Sequence, residues 1–423
     1  MRRYRWLLPL AVVGVVATAC TSGSGGNSAS GGNSKSGATM TFWNGFTASD
    51  RQYVEQIVSK YNKQSSNKVN MTIEPWDTIY QKLQTSLPTG QGPDMPALDP
   101  SLVVQYASAG LIQPVDDLYG GGGLNKSVIP KAFFDVASYN GHIYAAPMTI
   151  ATVMLYYNKK MFQQAGIASP PKTMDEMLQD AVKLTKKGSN GQQYGLVLPD
   201  NAVPQWWSIF AWAYGGNLVS PDGKKSMLTN PNTIKGFQAW ADAQKKGHIS
   251  PVGVGGAAGD QLFQTQKAAM ELNGPWVTSG FTQAKVPYGV VPVPVGPSGK
   301  ERTLAVGATI TVGKGTKNKA QAENFIKYWF SPQSQMIYAA GAGSSPARTD
   351  MGSQLSKISN PYPAKFAAVL PDAQYYLAGL KNESQADSDV ITPAVQAILR
   401  GADVTKTLES ANSKLNNVLK QQQ

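Results

Sequence analysis

Flat indole rings next to small turn residues and amides are the side chains in this sequence best suited to chemistry on a polyhydroxylated solute. Trp43 is followed by Asn44-Gly45, Trp76 follows Pro75, Trp206 and Trp207 are adjacent, and Trp276 follows Asn273-Gly274-Pro275. A sugar shows C–H patches on its ring faces and hydroxyls around its rim. Planar rings for stacking, with amides or carboxylates for paired hydrogen bonds, are the matching set. Each ring also has a plainer reading. Trp43 ends an apolar run and can plug a core. Trp76 opens a helix and either caps a cleft or packs on its own domain. Trp206 and Trp207 would point about 100° apart on a helix, so one of the two faces a cleft and the other a core. Trp212, Trp240 and Trp329 lie inside amphipathic helical patterns and are read as core.

The inventory for catalysis and metals is thin. Cys20 is the only cysteine, and His142 and His248 are the only histidines, so no intramolecular disulfide, zinc cluster or Cys-His pair can be built. No Gly-x-Ser-x-Gly elbow occurs, and Gly313-Lys314-Gly315 lacks both the upstream glycine and the hydroxyl of a phosphate loop. A glycosidase would need two carboxyl groups about 5 to 10 Å apart. Asp99, Asp200, Asp260 and Glu271 are the acids that would have to meet, and no motif singles them out. No cofactor and no metal are expected. The charge of +12, from 38 Lys+Arg against 26 Asp+Glu, is scattered in pairs such as Lys159-Lys160 and Lys245-Lys246. That is the pattern of a solvated surface, and a nucleic-acid partner is not expected.

The N-terminus carries an address. Arg2, Arg3 and Arg5 precede an apolar run from Trp6 to Ala19, too short to span a bilayer and ordered like a secretory signal. Residues 1–19 are therefore expected to direct export. Residues 20–38 read as Cys20 and a tether of Ser, Gly, Asn and Thr that cannot bury apolar area. Ala17-Thr18-Ala19-Cys20 resembles the lipobox of bacterial lipoproteins, which implies lipidation of Cys20 and a membrane anchor.

The elements that must position the indoles alternate between strand and helix. Met40–Trp43 reads as a strand, Ser49-Asp50 as a cap, and Tyr53, Val54, Ile57, Val58 and Tyr61 as one helix face. Val69, Met71 and Ile73 alternate as a strand, then Ile79, Tyr80, Leu83 and Leu87 take helical spacing, and Met95–Leu98 is a short strand. Thr173 and Glu176 form a capping-box pair for a helix ended by Gly188, and Asn230-Pro231 opens a helix closed by Gly247. Further strands are expected at 143–146, 153–157, 194–198, 268–272, 288–291 and 304–312, and helices at 320–330, after Pro332, at 390–399 and at 404–419. This order predicts an α/β fold with mainly parallel sheet, whose ligands sit at the carboxyl ends of strands.

Several motifs in order give a resemblance from Thr39 to the C-terminus: Gly92-Pro93-Asp94-Met95 with Ala109 to Val115; Asn140-Gly141-His142 to Pro147; Tyr156-Tyr157-Asn158-Lys159 with Phe162, Ala165-Gly166 and Pro171-Lys172-Thr173; Lys267 to Met270 with Asn273 to Trp276; Tyr288 to Pro294; Phe325-Ile326-Lys327; and Gly341 to Arg348. In these the chain resembles the family 1 extracellular solute-binding proteins of bacterial sugar ABC transporters, the group that contains maltose-binding protein. The resemblance implies a two-lobed periplasmic-binding-protein-like fold with a multi-crossing hinge, lobe 1 being 38–149 plus 305–347 and lobe 2 150–304 plus 348–423. It implies a non-enzymatic, monomeric receptor on the outer face of the cytoplasmic membrane that delivers a mono- or oligosaccharide to permease subunits. By resemblance a stacking aromatic falls at Trp276 and a ligand-binding acid at Asp99, with Ser101 an equal choice by spacing. Asn44 and Asn273 supply amides, Arg348 lies near the third crossing, and Thr152 follows Pro147, where maltose-binding protein carries an acid and this chain does not. The alternatives are a secreted carbohydrate-active enzyme on a similar scaffold or a receptor for a peptide, polyamine or phosphate ester, of which polyamines are the least attractive given the net positive charge and the lack of a clear acid cluster.

Overall fold

The computed structural model describes residues 37–188, 191–200 and 204–421. The export signal, Cys20 and the tether as far as Ser36 lie outside the described residues.

The first lobe starts from a parallel β-α-β-α-β run: β1 (Thr39–Asn44), α1 (Arg51–Gln64), β2 (Lys68–Ile73), α2 (Trp76–Ser86) and β3 (Met95–Leu98). β1 pairs in parallel with β2, from Thr39 opposite Lys68 to Asn44 opposite Ile73, and with β3 at Phe42–Met95. Met40 and Phe42 are fully buried while Thr41 is exposed, the alternation of a strand covered more deeply on one face. β3 is buried at every position, as a continuous apolar run covered on both faces should be. α1 presents Val54, Ile57, Val58 and Tyr61 as one buried stripe. Its N-cap Asp50 does not cap through its side chain; the carboxylate instead accepts from the Tyr338 hydroxyl at 2.9 Å.

Two long strands carry the sheet onward. β4 (Ala145–Thr152) is buried throughout and is followed by β5 (Met154–Asn158). After α3 (Met174–Leu184), α4 (Pro231–Gly247), β6 (Met270–Asn273) and β7 (Tyr288–Val291) comes β8 (Thr303–Gly313). β8 runs antiparallel to β4 from Ala305–Thr152 to Thr311–Ala145, with a register shift between Ala308 and Thr309. One end of β8 pairs with β3 at Thr309–Leu98. Its other end pairs with β9 (Ala373–Tyr375) at Thr303–Ala373, so this one strand touches both halves of the molecule. Gly307, beside the shift, admits no side chain: a Cβ there would stand 2.2 Å from the Thr149 carbonyl oxygen.

The apolar cores follow the same division. One gathers Phe42, Ile57, Leu83, Phe133, Ile310 and Trp329, from residues 40–150 and 308–347. A second gathers Leu155, Trp207, Phe237, Trp240, Leu377 and Leu415, from 151–306 and 376–419. A third, smaller one packs Tyr156, Phe263, Phe281 and Phe366 on the antiparallel sheet β6-β5-β7. The last third of the chain adds α5 (Lys319–Trp329) and α6 (Pro332–Ala342) to the first core and α7 (Thr392–Leu399) and α8 (Val404–Lys420) to the second.

Several expectations from the sequence are corrected. α3 ends at Leu184, and Gly188 pairs with Gly191 in a hairpin, because Thr185 leaves the helix in an extended conformation. His248, at φ 48°, takes the left-handed capping position after α4. Residues 194–198 form no continuous strand and meet the sheet through isolated bridges at Tyr194–Ala268 and Val197–Glu271. The helix expected from Val390 has a π turn over Asp387–Ile391 before α7 begins.

Candidate ligand-binding site

The carboxyl ends of β1 and β3 face the loops where the first lobe meets the second. After β1, Asn44 is fully buried and its Oδ1 accepts from the Phe46 backbone N–H at 3.3 Å, while its Nδ2 has no partner. Gly45 is obligatory: a Cβ would lie 2.0 Å from the Trp76 ring. Phe46 meets Trp76 edge-on, with centroids 5.4 Å apart, and Trp76 leans on Tyr80 at 5.7 Å. Trp43 is half-buried against the first core.

After β3, Asp99 caps a short 3-10 turn by accepting from the Ser101 N–H at 2.9 Å and hydroxyl at 2.8 Å, and its own N–H donates to the Tyr80 hydroxyl at 3.1 Å. Ser101 Oγ is also 3.4 Å from Oε1 of Glu383, which belongs to the other half of the molecule. The Tyr376 hydroxyl donates to Asp387 at 2.6 Å, and Ser384 N–H donates to Gln105 at 3.0 Å. A cavity of about 180 Å³ lies here, bounded by Tyr80, Asp99 and Ser101 on one side and by Gln205, Tyr375, Tyr376, Glu383 and Asp387 on the other, with Leu304–Val306 of β8 as its floor. Burial pushes the Glu383 carboxyl well above its usual range, and the charges of Asp387 and Asp99 push it further. Burial likewise pushes Asp387 up to about 7 against its Tyr376 bond, and raises Asp99 against its bonds from Ser101.

The second lobe brings its own strand end. β6 finishes in Asn273-Gly274-Pro275-Trp276. Asn273 Nδ2 donates to Asp260 at 2.6 Å and to Glu271 at 2.9 Å, and its Oδ1 accepts from the Gly274 N–H at 2.8 Å. Burial, with the charge of the neighbouring Asp260, pushes the Glu271 carboxyl well above its normal range, and burial raises Asp260 as well. The Tyr156 hydroxyl fixes the Gly274 carbonyl at 2.6 Å. The turn leaves Trp276 half-buried and nearly parallel to Trp206, with centroids 6.4 Å apart and planes 14° apart. Ser49, from the loop before α1, donates to the Trp276 carbonyl at 2.8 Å and lies 2.6 Å from the Ser279 hydroxyl.

Three expected contact residues have other work in this structure. Thr152 is fully buried and donates to the Phe366 carbonyl at 3.0 Å, because β4 has both faces covered. Trp207 is fully buried, its Nε1 bonded to the Pro199 carbonyl and its ring edge-on to Trp240. Of the adjacent pair, Trp206 is therefore the ring beside Trp276. Arg348 is held by Asp350 in a two-point bond at 2.9 and 2.6 Å, donates to the Phe330 carbonyl, and stacks on the Phe330 ring. Asp200, one of the acids weighed for catalysis, accepts the backbone N–H groups of Gly253 and Val254 and is structural.

The sequence reading missed Tyr80, Gln205, Tyr375, Tyr376, Glu383 and Asp387 as site residues. Spacing held one usable signal: Glu383 and Asp387 are four apart, which puts both carboxyls on one side of a helical turn.

A family model described as a bacterial extracellular solute-binding protein matches residues 56–367. The chain belongs to this family. Among relatives, a binding protein of Brucella abortus (strain 2308) is 24% identical over 384 residues, 89% of this chain and 92% of that one. The diacetylchitobiose binding protein DasA of Streptomyces coelicolor is 26% identical over 407 residues, 91% of each chain. Among solved structures, an ABC transporter solute-binding protein from Thermotoga lettingae bound with α-D-tagatose superposes with a TM-score of 0.82 at 24% identity, covering 90% of this chain and all of that one. This solute-binding protein thus has the two-lobed α/β fold of its family.

Proposed function

We propose that this solute-binding protein is the receptor of a sugar ABC transporter, which captures a carbohydrate between its lobes without turnover and hands it to the permease. The observation that carries this reading is the cavity walled by the strand ends of one lobe and the 375–387 segment of the other, with paired indoles on a neighbouring turn. Of the residues expected to touch ligand, Asp99 and Ser101 line that cavity, Trp76 leans on the cavity residue Tyr80, and Trp206 pairs with Trp276; Trp43, Asn44 and Asn273 stand at strand ends outside its lining. Sugar-binding relatives and the family match support the class of ligand. The N-terminal signal and Cys20 support attachment to the outer face of the membrane by lipid.

Closure requires the ligand to prefer the closed form, because a solute that binds both forms equally shifts nothing. Titration of the purified protein with a panel of mono- and oligosaccharides, followed by tryptophan fluorescence, should give a saturable change for one class with a dissociation constant of about 1 μM, or about 8 kcal/mol. A flat response to every sugar from a cooperatively folding sample overturns the reading. Incubation with the bound oligosaccharide should release no new reducing ends.

A further inference from the structure

The cavity between the lobes gathers three carboxyl groups, more acid than a neutral sugar calls for. Asp99, Glu383 and Asp387 all reach it, and no basic side chain is among the described residues that line it. Glu383 is only 6% exposed, and Ser101, bonded to Asp99, meets it from the other side of the cavity, so the three acids are gathered in one enclosed space. Lys381, the basic residue nearest in sequence, lies over the Tyr139 ring and lines a separate surface groove with Gln105 and Ser108. Aromatic walls face the acids: Tyr80, Tyr375 and Tyr376 line the same space. Tyr106, 2% exposed and in the field of Glu383, has a hydroxyl with no hydrogen-bond partner. The described acids do not form a group able to hold a metal ion.

We infer that the solute carries a positive charge: an amino sugar, or an oligosaccharide containing one, whose free ammonium group sits among Asp99, Glu383 and Asp387 against the tyrosine rings. This rests on the sugar-receptor reading and narrows it. An ammonium has only donors to offer, and carboxylates together with the faces of aromatic rings are the groups that receive it. With a neutral hydroxyl in its place the acids relieve their mutual repulsion only by holding protons, whereas a bound cation lets them ionise and attracts the charge so formed. Burial raises the carboxyls of all three acids, and neighbouring acid charge adds to it at Glu383 and Asp387, in keeping with a site that lacks its counter-charge.

The test uses matched sugars that differ only in the substituent on one carbon: D-glucosamine, N-acetyl-D-glucosamine and D-glucose; D-galactosamine and D-galactose; and the glucosamine disaccharide, N,N′-diacetylchitobiose and cellobiose. Calorimetric titration of the whole protein at about pH 6 should show the free amine binding at least ~10-fold tighter than its neutral partners in every set that binds. Glu383→Gln and Asp387→Asn should each erase most of that preference, and Glu383→Gln should melt at a higher temperature than the parent without ligand, which also shows that it folds. Equal or tighter binding of the neutral members overturns this inference and leaves the sugar receptor intact. No binding by any member of these sets also overturns it. If the wider neutral panel is silent as well, the receptor reading falls with it.

Discussion

Asp94 and Asp99 stand at opposite ends of the same four-residue strand, and the difference between them separates scaffold from site. Asp94, at the amino end of β3, is saturated: Oδ2 accepts the Thr41 N–H at 2.8 Å and the Thr41 hydroxyl at 3.0 Å, while Oδ1 accepts the Thr316 hydroxyl and the Asn318 amide. Those bonds outweigh burial and hold its carboxyl below the usual range. Asp99, at the carboxyl end, has one local partner residue in Ser101, with two more acids close by, and its carboxyl is raised. A staple and a candidate ligand group thus differ in whether the fold itself satisfies the charge. The carboxyl ends of parallel strands are where the fold leaves it unsatisfied.

The comparison can be broken most sharply at the staple. Asp94→Ala removes the acceptor of four bonds that tie β1 and the segment after β8 to β3, and should cost roughly 3 kcal/mol in urea unfolding while the folded fraction binds sugar with unchanged affinity. Lost affinity with unchanged stability would reverse the two roles. Asp99→Asn keeps an oxygen for the Ser101 N–H and removes a charge. It should weaken binding of an amine-bearing sugar about ~10-fold, or about 1.4 kcal/mol, and leave the unliganded melting temperature equal or higher.

A smaller effect, of opposite sign at the two sites, should appear with pH. Asp387 has its folded value raised to about 7, so the folded protein holds this proton more tightly than the unfolded chain. Its contribution to stability is fully present below the unfolded value of about 4 and is lost as pH rises toward 7. Asp94 is lowered, so its contribution is present above about 4 and is lost as pH falls through its folded value. Melting curves of Asp387→Asn and Asp94→Asn against the parent should therefore diverge from it at opposite ends of the acid range. Parallel divergence would mean that the two carboxylates share one environment.

The scaffold was more legible in the sequence than the site, for a physical reason. Periodicity reports the buried face of an element, so α1, α3, α4 and β1 to β3 follow from spacing and caps, including the Thr173–Glu176 capping box. Where a side chain finds a non-local partner, spacing is silent. Asp50 reads as a cap and serves Tyr338, 288 positions away. Asp99 and Ser101 read as a choice between two contacts and form one hydrogen-bonded unit. Glu383 and Asp387 are four apart, which puts them on one side of a turn, but only tertiary packing brings them to the cavity with Asp99 and Ser101. Trp206 and Trp207 illustrate both halves: local geometry requires them to diverge, and tertiary packing decides which one meets Trp276.

The most direct test of capture between the lobes is amide hydrogen exchange of the whole protein with and without a saturating sugar. Slowed exchange should appear together in residues 99–102 and 375–387, which contribute to opposite walls of one cavity. Protection confined to one wall, or confined to surfaces away from both, would contradict a solute held between the two halves.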